Sequence, residues 1–281
     1  MNQPLFISIC VSVCRLFTNL EGMKHLAFCI GLLCLQSIPS YAQEIITDRP
    51  DQTESAATVL PGSFQIESGF GSDWMSIQDV TIRHASLNST LLRYGITGVF
   101  ELRLGWDIDR LKIENTRGDA IASGLQPLSL GMKAQLYNSS NGLPDLALLV
   151  HVSLPDFASK DFKGQYLTPS FRFSFSHSLG PNLDLGYNFG LEWQDTDGPP
   201  STIYTLALGR GITEQWGTYL EVFGNFKPDS QDEHLVNTGL TYLLKPTLQL
   251  DGSFGIGLTD DAVDGFWGVG ISWLIANNAD P

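Results

Sequence analysis

The feature that most constrains this chain is an alternation of period two that returns again and again between residues 62 and 275. Its clearest instance is Glu101–Ile108, where Leu102, Leu104, Trp106 and Ile108 alternate with Glu101, Arg103, Gly105 and Asp107. Successive side chains of a β-strand point to opposite faces, so such a segment is greasy on one face and charged on the other. Repeated along the chain, it points to an all-β fold. A soluble sandwich and a lipid-facing barrel satisfy one strand of this kind equally well, and the connections decide between them.

Strands are expected near 62–71, 84–94, 100–110, 126–137, 145–154, 166–178, 183–194, 202–211, 216–226, 235–244, 247–258 and 266–275. Twelve is an even number, and a length of about ten residues crosses a bilayer at a tilt. The links at one rim read as long and polar: Ser72–Arg83, Leu111–Leu125, Pro155–Gln165, Asp195–Ser201, Lys227–His234 and Thr259–Gly265. Those at the other rim read as turns: Gly95–Gly98, Asn138–Pro144, Leu179–Asn182, Ile212–Gln215 and Lys245-Pro246. A sandwich has no reason to sort its loops this way. An up-and-down antiparallel transmembrane β-barrel with periplasmic termini does. Aromatics sort similarly, with Trp193, Tyr204, Phe226, Phe266 and Trp267 at the long-loop ends and Tyr94, Phe100, Trp216, Tyr242 and Trp273 at the turn ends. Membrane interfaces select such belts, because an indole or phenol has an apolar body and a wet edge.

The first forty residues have a different logic. Met23-Lys24-His25, the apolar run Leu26–Leu35 and Ser40-Tyr41-Ala42 read as a secretory leader over 23–42, with cleavage expected before Gln43. Residues 1–22 then read as an upstream extension, with translation starting at Met23. All four cysteines (10, 14, 29 and 34) precede that cut, so the remainder has neither a disulfide framework nor a thiolate metal site. A formal charge of −14 excludes nucleic acid as a partner. The expected organisation is a periplasmic N-terminal segment over 43–60, a barrel over 61–276 and a tail over 277–281. The expected place is the outer membrane of a Gram-negative bacterium, in contact with its lipid.

If the greasy faces meet lipid, the other faces line a lumen. There the alternation places Glu67, Arg93, Glu101, Arg103, Asp107, Asp109, Lys133, His151, Arg172, Asp184, Glu192, Glu221 and Asp251. Their acidic excess suits a pore for cations or neutral solutes; alternatively these charges pair across the lumen and fill it. No catalytic set emerges. His151 and His177 fall on opposite faces of their strands, and spacing ties no serine or carboxylate to either. Thr259-Asp260-Asp261 and Asp229–Glu233 lack the glycine and terminal glutamate of an EF-hand loop. No cofactor and no metal is expected, and Asn88-Ser89-Thr90 sits in a strand, where a glycosylation triplet is chance.

Several motifs carry a family resemblance. They are Ile46–Ala56 (ITDRPDQTESA) before Gly62-Ser63-Phe64-Gln65-Ile66-Glu67; Leu92–Thr97 with Glu101-Leu102-Arg103; Leu128–Lys133; and Leu248–Asp251 ahead of Gly255-Ile256-Gly257. Together they resemble the outer-membrane transporter family named for the meta-pathway of phenol degradation, over about residues 44–275. Gln126-Pro127 departs from that pattern at the entry to the fourth strand. The resemblance implies an outer-membrane barrel that passes small, often hydrophobic compounds, and it brings no catalytic residues. The expected function is a passive channel for small molecules, hydrophobic or aromatic ones among them, and not an enzyme. The alternative is a non-conducting structural or surface-interaction barrel with a charge-filled lumen.

One stretch joins both themes. After Pro61-Gly62, Phe64, Ile66, Ser68 and Phe70 alternate with Gln65, Glu67 and Gly69, which makes strand one, due to close the barrel against strand twelve. The polar residues before it start beside the lumen mouth. Asp48, Arg49, Asp51 and Glu54 are expected to fold into that mouth as a partial plug, or else to form a loose tail.

Overall fold

The computed structural model describes residues 44–276 except 117, 140, 141 and 229. The expected extension (1–22), leader (23–42) and tail (277–281) lie outside the described residues, as does Asp229 of the acidic loop. The strands are β1 (Phe64–Ile77), β2 (Val80–Thr97), β3 (Phe100–Glu114), β4 (Ala120–Leu125), β5 (Leu128–Tyr137), β6 (Asp145–Leu154), β7 (Thr168–Gly180), β8 (Leu183–Glu192), β9 (Ser201–Gly211), β10 (Trp216–Phe226), β11 (Glu233–Lys245), β12 (Leu248–Gly257) and β13 (Gly265–Ile275). Each pairs antiparallel with its chain neighbours, except that β3 holds both β4 and β5. Leu125 opposes Ile108 and Ser129 opposes Gly105, so β4 and β5 are two halves of one staff. The ring therefore has twelve staves. It closes where Phe64–Trp74 pairs with Gly265–Ile275, while the short β4 pairs with β3 alone.

The break in the fourth stave falls at Gln126-Pro127, the residues that depart from the family pattern. Pro127 has no N–H to give the ladder. The Gln126 N–H instead reaches Asp107 O (2.9 Å), and Ser159 from the next loop exchanges two bonds with Leu125, at 2.8 and 2.9 Å.

Two expected loops are strands instead. Ser72–Arg83 is the end of β1 and the start of β2, joined by Gln78 and Asp79 alone, with Gln78 at φ 53°. Most of Leu111–Leu125 continues β3 to Glu114 and then forms β4. Their sequences are polar because these hairpins extend past the apolar band, where both faces of the strand meet water or polar neighbours. Polarity alone does not distinguish such strands from loops. Elsewhere the rims differ as expected, with residues 155–167, 193–200 and 258–264 linking strands at one end and 98–99, 181–182 and 246–247 at the other.

The burial pattern inverts that of a soluble protein. Leu102 and Leu220 are 46 % and 58 % exposed, whereas Glu101, Lys133 and Glu221 are 0 % exposed. Lipid accepts the outer face without a hydrophobic partner, while every inward charge needs one. Outward rings pair near the turn rim, Phe64 with Tyr94 at 4.4 Å and Trp216 with Tyr242 at 4.6 Å. One belt residue is corrected. Phe266 opposes Asp73 and Gly255, both on the inward face, so it points into the lumen rather than to lipid.

Candidate functional site

The lumen is occupied, at the end where Phe64 pairs with Ile275, by residues 44–63 of the same chain. Ile45 anchors the entry by packing with Val59 and Leu274, and its N–H donates to Pro246 O at 2.8 Å. The segment rises to an apex at Pro50–Gln52, after a cis Arg49–Pro50 bond, and returns to a bridge between Pro61 and Gly95. A Cβ on Gly95 would lie 2.1 Å from Leu60 O and 2.3 Å from Val59 O, so the return is possible only beside glycine.

Asp48 is the centre of the contact. Its carboxylate meets Arg93 Nη1 at 3.1 Å, Arg103 Nη1 at 2.8 Å and Lys133 Nζ at 2.9 Å. Its own N–H donates to Glu67 at 3.1 Å, and the Ser55 N–H and hydroxyl both donate to its Oδ1. Glu54 takes the other side of Arg103 (2.8 Å), while Glu101 accepts from Arg93 (2.9 Å) and Arg103 (3.0 Å). The wall here carries three cations, Arg93, Arg103 and Lys133, against two carboxylates, Glu67 and Glu101. Asp48 and Glu54 reverse that imbalance. Breaking such a buried pair strands a charge in low dielectric, so the arrangement is costly to disassemble.

The far wall holds the segment through its backbone. Glu221 accepts the Gln52 N–H (3.0 Å) and the Thr53 hydroxyl (2.6 Å), Asn188 exchanges bonds with Glu54, and Ser176 accepts the Ala56 N–H. Arg49 reaches Asp251 at 3.1 Å, its guanidinium lying over Gly69 and Gly270, where a Cβ would come within 2.4 Å. Burial would raise the Asp48 carboxyl, but Arg93, Lys133 and Arg103 hold it well below the usual carboxylate range. Burial, reinforced by Glu221, pushes the Asp51 carboxyl well up. Burial also raises Glu54, against the pull of Arg103 and with the repulsion of Asp48.

Of the lumen positions read from sequence, Glu67, Arg93, Glu101, Arg103, Lys133, Glu221 and Asp251 all touch the segment. His151 sits inward over Gly131, and Arg172 faces Glu192 at 3.6 Å. Asp184 is exposed on the inward face near the turn rim, two residues from Gly186. Asp107 and Asp109 lie farther along, above the apex of the segment. There Asp109 joins two residues that the sequence reading missed. His84 Nδ1 lies 2.7 Å from Asp73 and its Nε2 2.9 Å from Asp109. Asp73 was hidden because it was assigned to a loop, and His84, the first residue of the expected strand 84–94, because a bulge between Ser86 and Asn88 flips the alternation counted back from Arg93. Phe223, which meets Phe266 edge-on at 6.0 Å, was also missed. Its signal was legible, since it lies two residues from Glu221 and so shares its face.

Residues 47–275 match the family described as "Putative MetA-pathway of phenol degradation". No curated protein matches the sequence. Among solved structures, the chain is similar to an outer membrane channel from Pseudomonas putida F1, with TM-score 0.64 and 11 % identity over 83 % of this chain and 100 % of that one. It also overlays the translocator domain of the autotransporter NalP from Neisseria meningitidis, with TM-score 0.49 and 9 % identity over 75 % and 88 % of the two chains. A closed twelve-stave ring with a lipid-facing apolar exterior, matched by that family over nearly all its described length, makes this chain an outer-membrane β-barrel that belongs to the phenol-degradation MetA-pathway family.

Proposed function

We propose that the barrel is a passive channel for small solutes, hydrophobic or aromatic ones included, and that residues 44–63 partly plug it. The observation that carries the reading is the division of charge in the lumen. The wall cations Arg93, Arg103 and Lys133 find part of their counter-charge on a segment outside the ladder. Short of its Pro61–Gly95 bridge the segment is held by wall side chains rather than by strand pairing, so that part can leave without opening the barrel. The relative from Pseudomonas putida F1, itself an outer membrane channel, supports the same reading. We assign no catalytic role; the inward His151 has Gly131 and Ser170 as its cross-strand neighbours.

The test compares the intact chain with a deletion of residues 44–56 in planar bilayers and in liposome swelling. The deletion is expected to raise single-channel conductance and the rate of solute entry. Equal conductance would reduce the segment to a tether, and two silent barrels would remove the channel reading. The buried ion network favours one second reading, a structural barrel with a filled lumen. In that case, removal of Asp156–Gly164 changes adhesion or envelope integrity and leaves permeability alone.

A further inference from the structure

Above the apex of the segment, two adjoining cavities of about 320 and 340 Å³ share Gln52, Gly71, His84, Ser86 and Phe266. Their size is at the lower end for small-molecule sites. The space exists because the inward positions of β1 and β13 at this height, Gly71 and Gly268, have no side chains. One wall is acidic. His84 lies within hydrogen-bond distance of a carboxylate at both ring nitrogens, and both contacts are made only by an imidazolium. That leaves Asp73, Asp107 and Asp109 facing a single positive charge. Asp107 is met by the Ser89 hydroxyl and, among the described residues, by no lysine or arginine. Asp109 is 6 % exposed; its Oδ2 binds His84 and Gln126, and Ser86 stands opposite it on β2 as a further hydroxyl. The nearest cation of the floor, Arg49, is held by Asp251. The opposite wall is apolar, formed by Phe223, Leu235, Val263 and Phe266.

We infer that this vestibule binds a small organic cation, its ammonium group on Asp107 and Asp109 and its apolar body against Phe223 and Phe266. Three carboxylates against one positive charge on this wall select a ligand group that both donates hydrogen bonds and carries positive charge. A ring beside the two phenylalanines completes the fit. The inference deepens the channel reading by naming a solute class, but binding does not require that the barrel conduct.

The experiment titrates the purified full-length barrel in detergent with benzylamine, benzyl alcohol and benzoate by calorimetry. Benzylamine is expected to bind about tenfold or more tightly than benzyl alcohol, and benzoate least. The D107N/D109N double variant should bring benzylamine and benzyl alcohol within about twofold of each other. Gly268→Val should weaken both, because a Cβ there meets only Ser253 Oγ and Phe70 O, at 3.6 and 3.7 Å, and further carbons enter the cavity. Heat-modifiable migration on gels reports that each variant still folds. Equal binding of amine and alcohol, preference for benzoate, or a preference unchanged in D107N/D109N overturns the site. Liposome swelling with neutral solutes, run in parallel, reports on the channel itself. Binding without swelling refutes conduction and leaves the site, while swelling without binding does the reverse.

Discussion

Asp48→Ala is the sharpest perturbation of the segment in the lumen. The substitution removes one carboxylate and leaves Arg93, Arg103 and Lys133, all with side chains at most 1 % exposed, short of a partner. Deleting one member of a buried ion pair costs ~3–5 kcal/mol. The cations regain part of this only if the segment leaves and water enters. At about 1.4 kcal/mol per tenfold, the docked-to-undocked ratio should therefore fall between about a hundredfold and a few thousandfold. The assay uses the absence of cysteine after residue 34. A single Ala56→Cys thiol, fully buried beside Ala147 and Leu149 when docked, reacts with a maleimide only when the segment is out. Its labelling rate should rise steeply in the Asp48→Ala background, with a matching rise in conductance, and Asp48→Glu should restore much of the protection. Labelling and conductance unchanged by Asp48→Ala would show that the ion cluster does not hold the segment.

Acidity should act through the same groups in two stages. Asp51 and Glu54 have folded values raised above those of a free tail, so the docked state binds more protons and is favoured as pH falls from neutral toward the ordinary carboxylate range. Asp48 has a lowered value, so its contribution is present above the ordinary carboxylate range and is lost only as pH falls below it. Cysteine labelling at position 56 should thus slow on mild acidification; acceleration over that window contradicts the assignment. Gly270→Ala places a Cβ 2.4 Å from the Arg49 guanidinium, and its three nearest atoms all belong to that side chain. It should separate Arg49 from Asp251 and speed labelling while the barrel's thermal unfolding stays unchanged. A drop in barrel stability instead would locate the strain in the wall.

The barrel was legible in the amino-acid pattern. Period-two alternation fixes which side chains share a face, and lipid needs no specific partner, so Leu102, Leu220 and Phe254 could be assigned outward from pattern alone. The same alternation placed Glu67, Arg103 and Glu221 inward, and the family resemblance located the weak point at Gln126-Pro127. Strand ends were less legible, because beyond the bilayer both faces of a hairpin are polar, and β1 and β2 run on through residues that look like a loop. Which inward charges meet was not legible in that pattern and follows from the folded ring. Asp48 and Lys133 are 85 residues apart, and Arg49 and Asp251 are 202 apart. Periodicity sets the face of each residue but carries no information about height along the axis or position around the ring. Those follow from the register of twelve staves and the path of a segment that joins the ladder only at its Pro61–Gly95 bridge.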